Sequence, residues 1–493
     1  MSQLRQLASQ TVIYGASSVL GRILNYALVP LYTSVFVPAE YGIVTELYVF
    51  VAFLNILYTY GFETTYFRYA SKSNEGVDYF QIAQTSLLIT SLLFSCIIML
   101  SSTWIVEALN YSGKEKYVIW LAIILAIDAI VAVPFARLRL KGKAFFFASL
   151  KLSNILVNIG LNCFFLLFCP WWLESHPDSF VSAIYNPKMG VGYVFLSNLV
   201  ANALYLIPLG RDTFFVRPKL GEEWKKMLKY AWPLMILGFA GVTNEMLSRV
   251  LLKYLLPNDF YEGYSNLHIL GVFGACYKLS VFMTLAVQAF RYAFEPFFFS
   301  KSADKNSPQL FSVVMHAFII FGVLAWMVIS LFLPIIAPIF LQNPDYLMGL
   351  DIVPWLLFGG LLLGIYFNLS IWYKLTDQTK YGAWISIMGA SITIVANVVM
   401  IPVFGFMGSA YATVLSYLAM VAVSYLLGQK HYYIPYLTAK GLFYMIFGGV
   451  SITALYIYDF NQTYKYIFAS CLLITFLILV WLLDYRRGTF KIK

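Results

Sequence analysis

The chain has 493 residues, of which 61% are hydrophobic, 18% aromatic and 11% charged, and its net charge is +10. Soluble domains run near about 25% charged and about 45–50% apolar. A surface still has to be covered by polar groups, so soluble-enzyme and nucleic-acid-binding readings are excluded, and the basic excess reads as loops on one side of a membrane rather than as a polyanion site.

The N-terminus is polar through Gln10, and the apolar run from Thr11 passes signal-peptide length without a clean cleavage site, so it reads as the first span. Apolar runs and their polar breaks predict fourteen helices, at 11–36, 41–62, 80–104, 118–138, 145–169, 191–208, 230–254, 269–291, 310–340, 353–373, 383–403, 407–427, 440–458 and 464–484. Each is near the roughly twenty residues that a bilayer requires. The runs are continuous rather than alternating, which excludes barrel strands. With the N-terminus in the cytoplasm, the inside segments carry Arg5, Arg68, Lys72, the Arg137–Lys143 cluster, Arg211, Arg217, Lys219, Lys225, Lys226 and Lys229. They continue with Arg291, Lys301, Lys305, Lys374, Lys380, Lys430, Lys440, Arg486, Arg487, Lys491 and Lys493. Outside segments carry only Lys114, Lys116, Lys188, Lys253 and Lys465. This alternation supports an even number of spans with both termini cytoplasmic.

The expected organisation is a six-helix lobe at 1–208, a basic cytoplasmic linker at 209–229, a second six-helix lobe at 230–429, and two extra helices with a cytoplasmic tail at 430–493. The lobes look related. Arg139-Leu140, Ala148 and Asn162 recur as Lys374-Leu375, Ala383 and Asn397 at one constant offset. Gly190-Val191-Gly192 opens the sixth span as Gly405-Phe406-Met407-Gly408 opens the twelfth, and Tyr41-Gly42 and Gly263-Tyr264 follow the first and seventh. Similarities in the same order at matching places favour a parallel internal repeat.

Enzyme signatures are missing: there is no P-loop, no HExxH, no nucleophile elbow and no DxD pair. The four histidines have no ligand spacing and the five cysteines form no CxxC pair, so no metal or other cofactor is expected. What stands out is charge inside spans, which costs about 2.5–3.5 kcal/mol at the bilayer centre on insertion scales and persists where it meets protein or a wet cavity. Gly15, Ser18, Arg22 and Asn25 share one face of the first span. Glu245, Arg249 and Lys253 make a stripe along the seventh. Glu46, Asp128 and Lys278 stand in the second, fourth and eighth, and Lys151, Asn154, Asn158 and Asn162 share a face of the fifth. Two readings stand for several of these. Glu245 and Arg249 are either cavity-facing or an ion pair that neutralises itself. Lys253, Lys278 and Lys151 either face a cavity or snorkel to the headgroups. The asparagines are either cavity lining or interhelical glue. Arg22 is mid-span with no acid within a turn. Cationic faces on the first helix of each lobe would suit an amphiphile with an anionic head, and Pro30, Pro233, Gly238 and Gly241 permit bending.

The chain resembles the polysaccharide-exporter branch of the multidrug/oligosaccharidyl-lipid/polysaccharide exporter (MOP) superfamily, the Wzx-type lipid-linked oligosaccharide flippases. The stretches that carry this are 289–299 (Ala289 to Phe299), 368–376 (Asn368 to Thr376), Asn397 through Ile401-Pro402, Gly405 and Gly408 to Ala412, and Pro38-Ala39-Glu40-Tyr41-Gly42. The resemblance implies two six-helix lobes around a central cavity, and a polyprenyl diphosphate carrying sugars as substrate. It implies that Arg22 and Glu46 occupy places comparable to charged cavity residues of the related lipid II flippases. It also implies that the last two helices line a groove for the lipid tail.

The expected function is therefore a flippase for a lipid-linked oligosaccharide in surface polysaccharide, for example lipopolysaccharide, biosynthesis, in a bacterial inner membrane. Arg22, Asn25, Glu46, Glu245, Arg249, Lys253 and Lys278 would hold or position the diphosphate. Energy would come from Na+ or H+ or from product removal, and the partners would be membrane lipids and other polysaccharide-assembly membrane proteins. The alternatives are a lipid II flippase, an ion-coupled multidrug exporter of the same superfamily, and a membrane-embedded polysaccharide polymerase or ligase. The last would want a larger outside loop than 170–190.

Overall fold

The computed structural model describes residues 19–71, 77–214, 221–301, 306–457 and 461–489. These are helical almost throughout, and no strand occurs among them, as expected where lipid leaves backbone groups nothing else to bond. Among the described residues twelve helices are long and apolar enough to cross a membrane, and the pair Gly192–Ala203 and Leu206–Phe214, bent by 62°, makes thirteen if read as one span. They coincide with the second to fourteenth predicted spans. The first is helical at 19–26 and Leu28–Val35. Gly15 and Ser18, and the loop cations Arg5, Lys72, Arg217, Lys219, Lys305, Lys491 and Lys493, lie outside the described residues, as does the side chain of Lys301.

Three spans differ from their expected form for identifiable reasons. The first breaks at Ala27, because Pro30 offers no N–H and its ring opposes the carbonyl four residues back. The ninth ends at Leu331 and restarts as Leu333–Phe340, with Pro334 in its opening turn, where a proline is tolerated. The seventh begins earlier, at Glu222, so residues 222–229 of the expected linker are helix. Glu222 and Glu223 in its first turn complement the helix dipole and pair with Lys225 at 3.0 Å and Lys226 at 2.6 Å.

The chain forms two compact units. One comprises the described residues through Phe36 and Ile43–Val242; the other comprises Val37–Gly42 and Thr243–Lys493. In the first, Glu115–Leu140 is central and packs against Tyr79–Leu100, Ala144–Cys163 and Gly192–Ala203. In the second, Ile352–Leu369 has the corresponding place among Asn266–Lys301, Ser307–Leu331 and Phe406–His431. Residues 37–42 belong to the second unit through close backbone contact. A Cβ on Gly271 would strike the carbonyl of Pro38, and one on Gly42 would strike that of Leu267, the small-residue approach by which membrane helices pack.

Buried amides tie each unit together. Asn162 and Asn397 are both fully buried. Each donates to the carbonyl one turn back, Asn158 at 2.8 Å and Thr393 at 2.7 Å. Each also reaches the first span of its half. The Tyr32 hydroxyl donates to Asn162 at 3.0 Å, and Asn397 donates to the Ser248 hydroxyl at 3.0 Å. Asn154 donates to Asn202 at 2.8 Å, which donates to Asp128 at 3.0 Å, and the Lys151 ammonium sits 4.3 Å from the Phe135 ring centroid. The polar face of the fifth span is thus interhelical glue. In the same unit Arg137 pairs with Asp212 at 3.1 Å and covers the Phe80 ring, while Arg139 pairs with Glu63 and covers Phe67.

The last two spans are held by one carboxylate. Asp484 is wholly buried. It accepts from the Tyr444 hydroxyl at 2.5 Å and pairs with Lys440 at 2.8 Å and with His316 at 3.0 Å. Lys440 also donates to the Leu483 carbonyl and the Thr489 hydroxyl, each at 3.0 Å. The cluster joins the ninth, thirteenth and fourteenth spans. Removing one partner of a buried pair costs about 3–5 kcal/mol because the other is left uncompensated. Asp484→Ala is expected to lower the melting temperature in detergent, followed by fluorescence-detected gel filtration, and Lys440→Met added to it to recover part of the loss. An unchanged melting temperature in the single variant would show that the cluster does not hold the pair.

Candidate functional site

In the first unit the helix at 19–26 sets Gly21 against the Ile155 side chain, whose end would have to shift to admit a Cβ. Arg22 and Asn25, one turn apart, are exposed. Glu46 is placed differently. It is fully buried and its carboxylate accepts the hydroxyl of Tyr111. It therefore shares no open face with Arg22 and Asn25.

The second unit gathers three of the expected residues. Arg249 lays its guanidinium over the Tyr277 ring, 3.8 Å from the centroid. Lys278 is the next residue along that helix and lies within electrostatic range of Arg249. Glu245, exposed one turn before Arg249, lies within electrostatic range of Tyr277 and Tyr417, and Tyr41 comes within range of Arg249. A guanidinium over a tyrosine ring with a second cation near it, and a carboxylate at the edge, can take a group that is anionic and rich in acceptor oxygens, because such bonds are charge-assisted. Lys253 lies one turn beyond Arg249. Its ammonium is 5.1 Å from the Tyr254 ring centroid, and its carbonyl accepts from Asn266 at 3.1 Å, at the end of the helix. The tyrosines are the part that sequence reasoning missed. With 37 tyrosines in the chain, only the neighbouring cation marks Tyr277.

The two stretches 289–299 and 368–376 meet. Arg291 covers Phe367 at 4.0 Å, and Phe298, Phe311 and Ile371 share a core with Phe290 and Phe294. Arg291 is thereby a packing residue. The side chain of Glu295 lies outside the described residues.

The second unit also holds an extended apolar groove. A cavity of about 630 Å³ is lined by Trp326, Trp355, Phe358, Met407, Ile446 and Tyr456 among others. A second, of about 380 Å³, reaches Met315, Ile319, Ile365, Tyr425 and Tyr436. Leu362, Leu418, Leu442 and Met445 line both, so the two run into one another between the tenth, twelfth and thirteenth spans. Polar side chains mark the ends: Asp351 in the larger part, His316 and Thr438 in the smaller. His316 is also a member of the Asp484 cluster, so the groove's outer wall, Thr438–Ile457, is positioned by that carboxylate. Among the described residues no group of three or more His, Cys, Asp or Glu could hold a metal ion.

Residues 7–300 match the family described as "Polysaccharide biosynthesis protein". No curated protein matches the chain in sequence. Among solved structures, the lipid II flippase MurJ in its inward closed conformation superposes with a TM-score of 0.68 at 14% identity, covering 95% of this chain and 99% of the other. An inward-facing multidrug resistance MATE family transporter of the MOP superfamily gives 0.61 at 13% identity, over 86% and 97%. MATE in the straight conformation gives 0.58 at 13%, over 86% and 95%. At such identities the likeness speaks for the fold. The chain belongs to the polysaccharide biosynthesis protein family and has the multi-pass fold of the lipid II flippase MurJ and the MATE transporters.

Proposed function

We propose that this chain flips a polyprenyl-diphosphate-linked oligosaccharide from the inner to the outer leaflet of a bacterial cytoplasmic membrane, by alternating access, for surface polysaccharide assembly. The observation that carries this is the pairing, within one unit, of a cation cluster with a long apolar groove. Arg249 and Lys278 suit the diphosphate, and the groove walled by Leu362, Leu418 and Leu442 suits a polyprenyl tail. The family's description supports a polysaccharide role. Arg22 and Asn25, exposed on the first span, also suit an anionic head. Glu245 would position Arg249, while Glu46 would act through Tyr111 rather than touch substrate. Basic residues inside put both termini in the cytoplasm. The protein acts as a transporter rather than an enzyme, and with no ATP-binding motif its energy comes from a Na+ or H+ gradient or from consumption of the product outside. A multidrug exporter of cationic compounds would face repulsion from Arg249 and Lys278.

In proteoliposomes with a fluorescent polyprenyl diphosphate glycan, Arg22→Ala and Arg249→Ala are each expected to slow flipping by about 10-fold or more, the scale of a lost hydrogen bond to a charged group, with Arg249→Lys partly rescuing. Flipping that survives both alanine changes would remove these arginines from substrate binding, and export of cationic dyes without lipid flipping would favour the multidrug reading.

The groove makes a separate demand. Gly449 lines its larger part, so Gly449→Trp is expected to slow the flipping of long polyprenyl substrates far more than that of short-chain analogues. Equal slowing of both would place the tail outside the groove.

A further inference from the structure

A third cavity, of about 430 Å³, lies on the eleventh and twelfth spans and shares no lining residue with the groove. On the eleventh span its lining follows one stripe: Lys380, Trp384 and Met388, with Tyr381 beside them. Steps of four residues keep a stripe on one helical face and carry it about 12 Å along the axis. Val423 and Leu427, also four apart, close the other side.

The two ends of this slot differ in chemistry. Lys380 is the first residue of its helix and is exposed, so its ammonium stands where the apolar stretch begins. It lies 5.8 Å from the centroid of the Tyr381 ring. That ring is fixed in turn, with its hydroxyl 3.4 Å from His431 Nε2 and the ring tilted against both His431 and Trp372. Trp384 is 75% exposed one turn deeper, the depth at which indoles favour the headgroup boundary. Below it only apolar side chains remain.

A cation at the interface above an apolar slot of this length matches one class of ligand. We propose that the slot is a binding site for an anionic phospholipid, its phosphate against Lys380 and Tyr381 and an acyl chain along Trp384, Met388 and Leu427. The site does not depend on the transport reading.

The test is native mass spectrometry of the full chain in detergent, titrated with phosphatidylglycerol or with phosphatidylcholine of the same acyl chains. Wild type is expected to bind the first phosphatidylglycerol about fivefold more tightly, the effect of one basic residue near an anionic headgroup. Lys380→Gln, an exposed substitution, is expected to abolish this preference and leave phosphatidylcholine binding as it was. Met388→Trp, which fills the slot and keeps the lysine, is expected to weaken both lipids. Equal binding of the two lipids by wild type would overturn the proposal. So would a preference that survives Lys380→Gln, since the anionic lipid would then be held elsewhere.

Discussion

In hydrocarbon there is no water to receive a polar group, and most of what is specific about this protein follows from that constraint. Asn162 and Asn397 each spend an amide on the carbonyl of their own preceding turn and a second contact on another helix. Asp128, Asn202 and Asn154 satisfy one another in series across three spans. Packing between apolar helices in lipid has little preferred register of its own. These few polar contacts supply it, and the repeat of the asparagine device in both units is what the matched sequence pattern looks like in three dimensions.

The same constraint separates the intramembrane charges. Glu46, Asp484, Arg137 and Arg139 have found neutralising or hydrogen-bonding partners inside their own units. Arg22 is exposed on its helix, while Arg249 is cushioned by a tyrosine ring. A guanidinium over an aromatic face keeps its hydrogen-bonding edge available while its plane is supported.

The architecture was readable in the sequence to the extent that it depends on local composition. Apolar runs located the spans, and the repeated Asn162 and Asn397 pointed to equivalent fifth and eleventh helices. Pro30, which the sequence marks as a bend, interrupts its span where a missing N–H and a ring clash require it, whereas Pro334 lies inside one long apolar run and is smoothed over by a composition window. The cation cluster was half legible: Arg249 and Lys278 announce themselves as charges, but Tyr41, Tyr277 and Tyr417 come from three separate spans and look like any other aromatic. The groove was not legible at residue level, because its walls are decided by which faces of four helices meet. Asp484 sits beside Arg486 and Arg487, so from sequence it belongs to a charged membrane boundary rather than to a buried anchor.

That anchor has a consequence for the order in which the molecule can be completed. Synthesis proceeds from the N-terminus, and the carboxylate that gathers His316, Lys440 and Tyr444 belongs to the fourteenth span, which is made after the ninth and thirteenth. Until it arrives, the thirteenth span lacks its fixed neighbour, and Lys440 has no counter-charge from this carboxylate. The groove wall Thr438–Ile457 is therefore seated only once the fourteenth span has been inserted, and the nascent chain passes through a period in which the ninth and thirteenth spans are in place but this wall is not yet fixed.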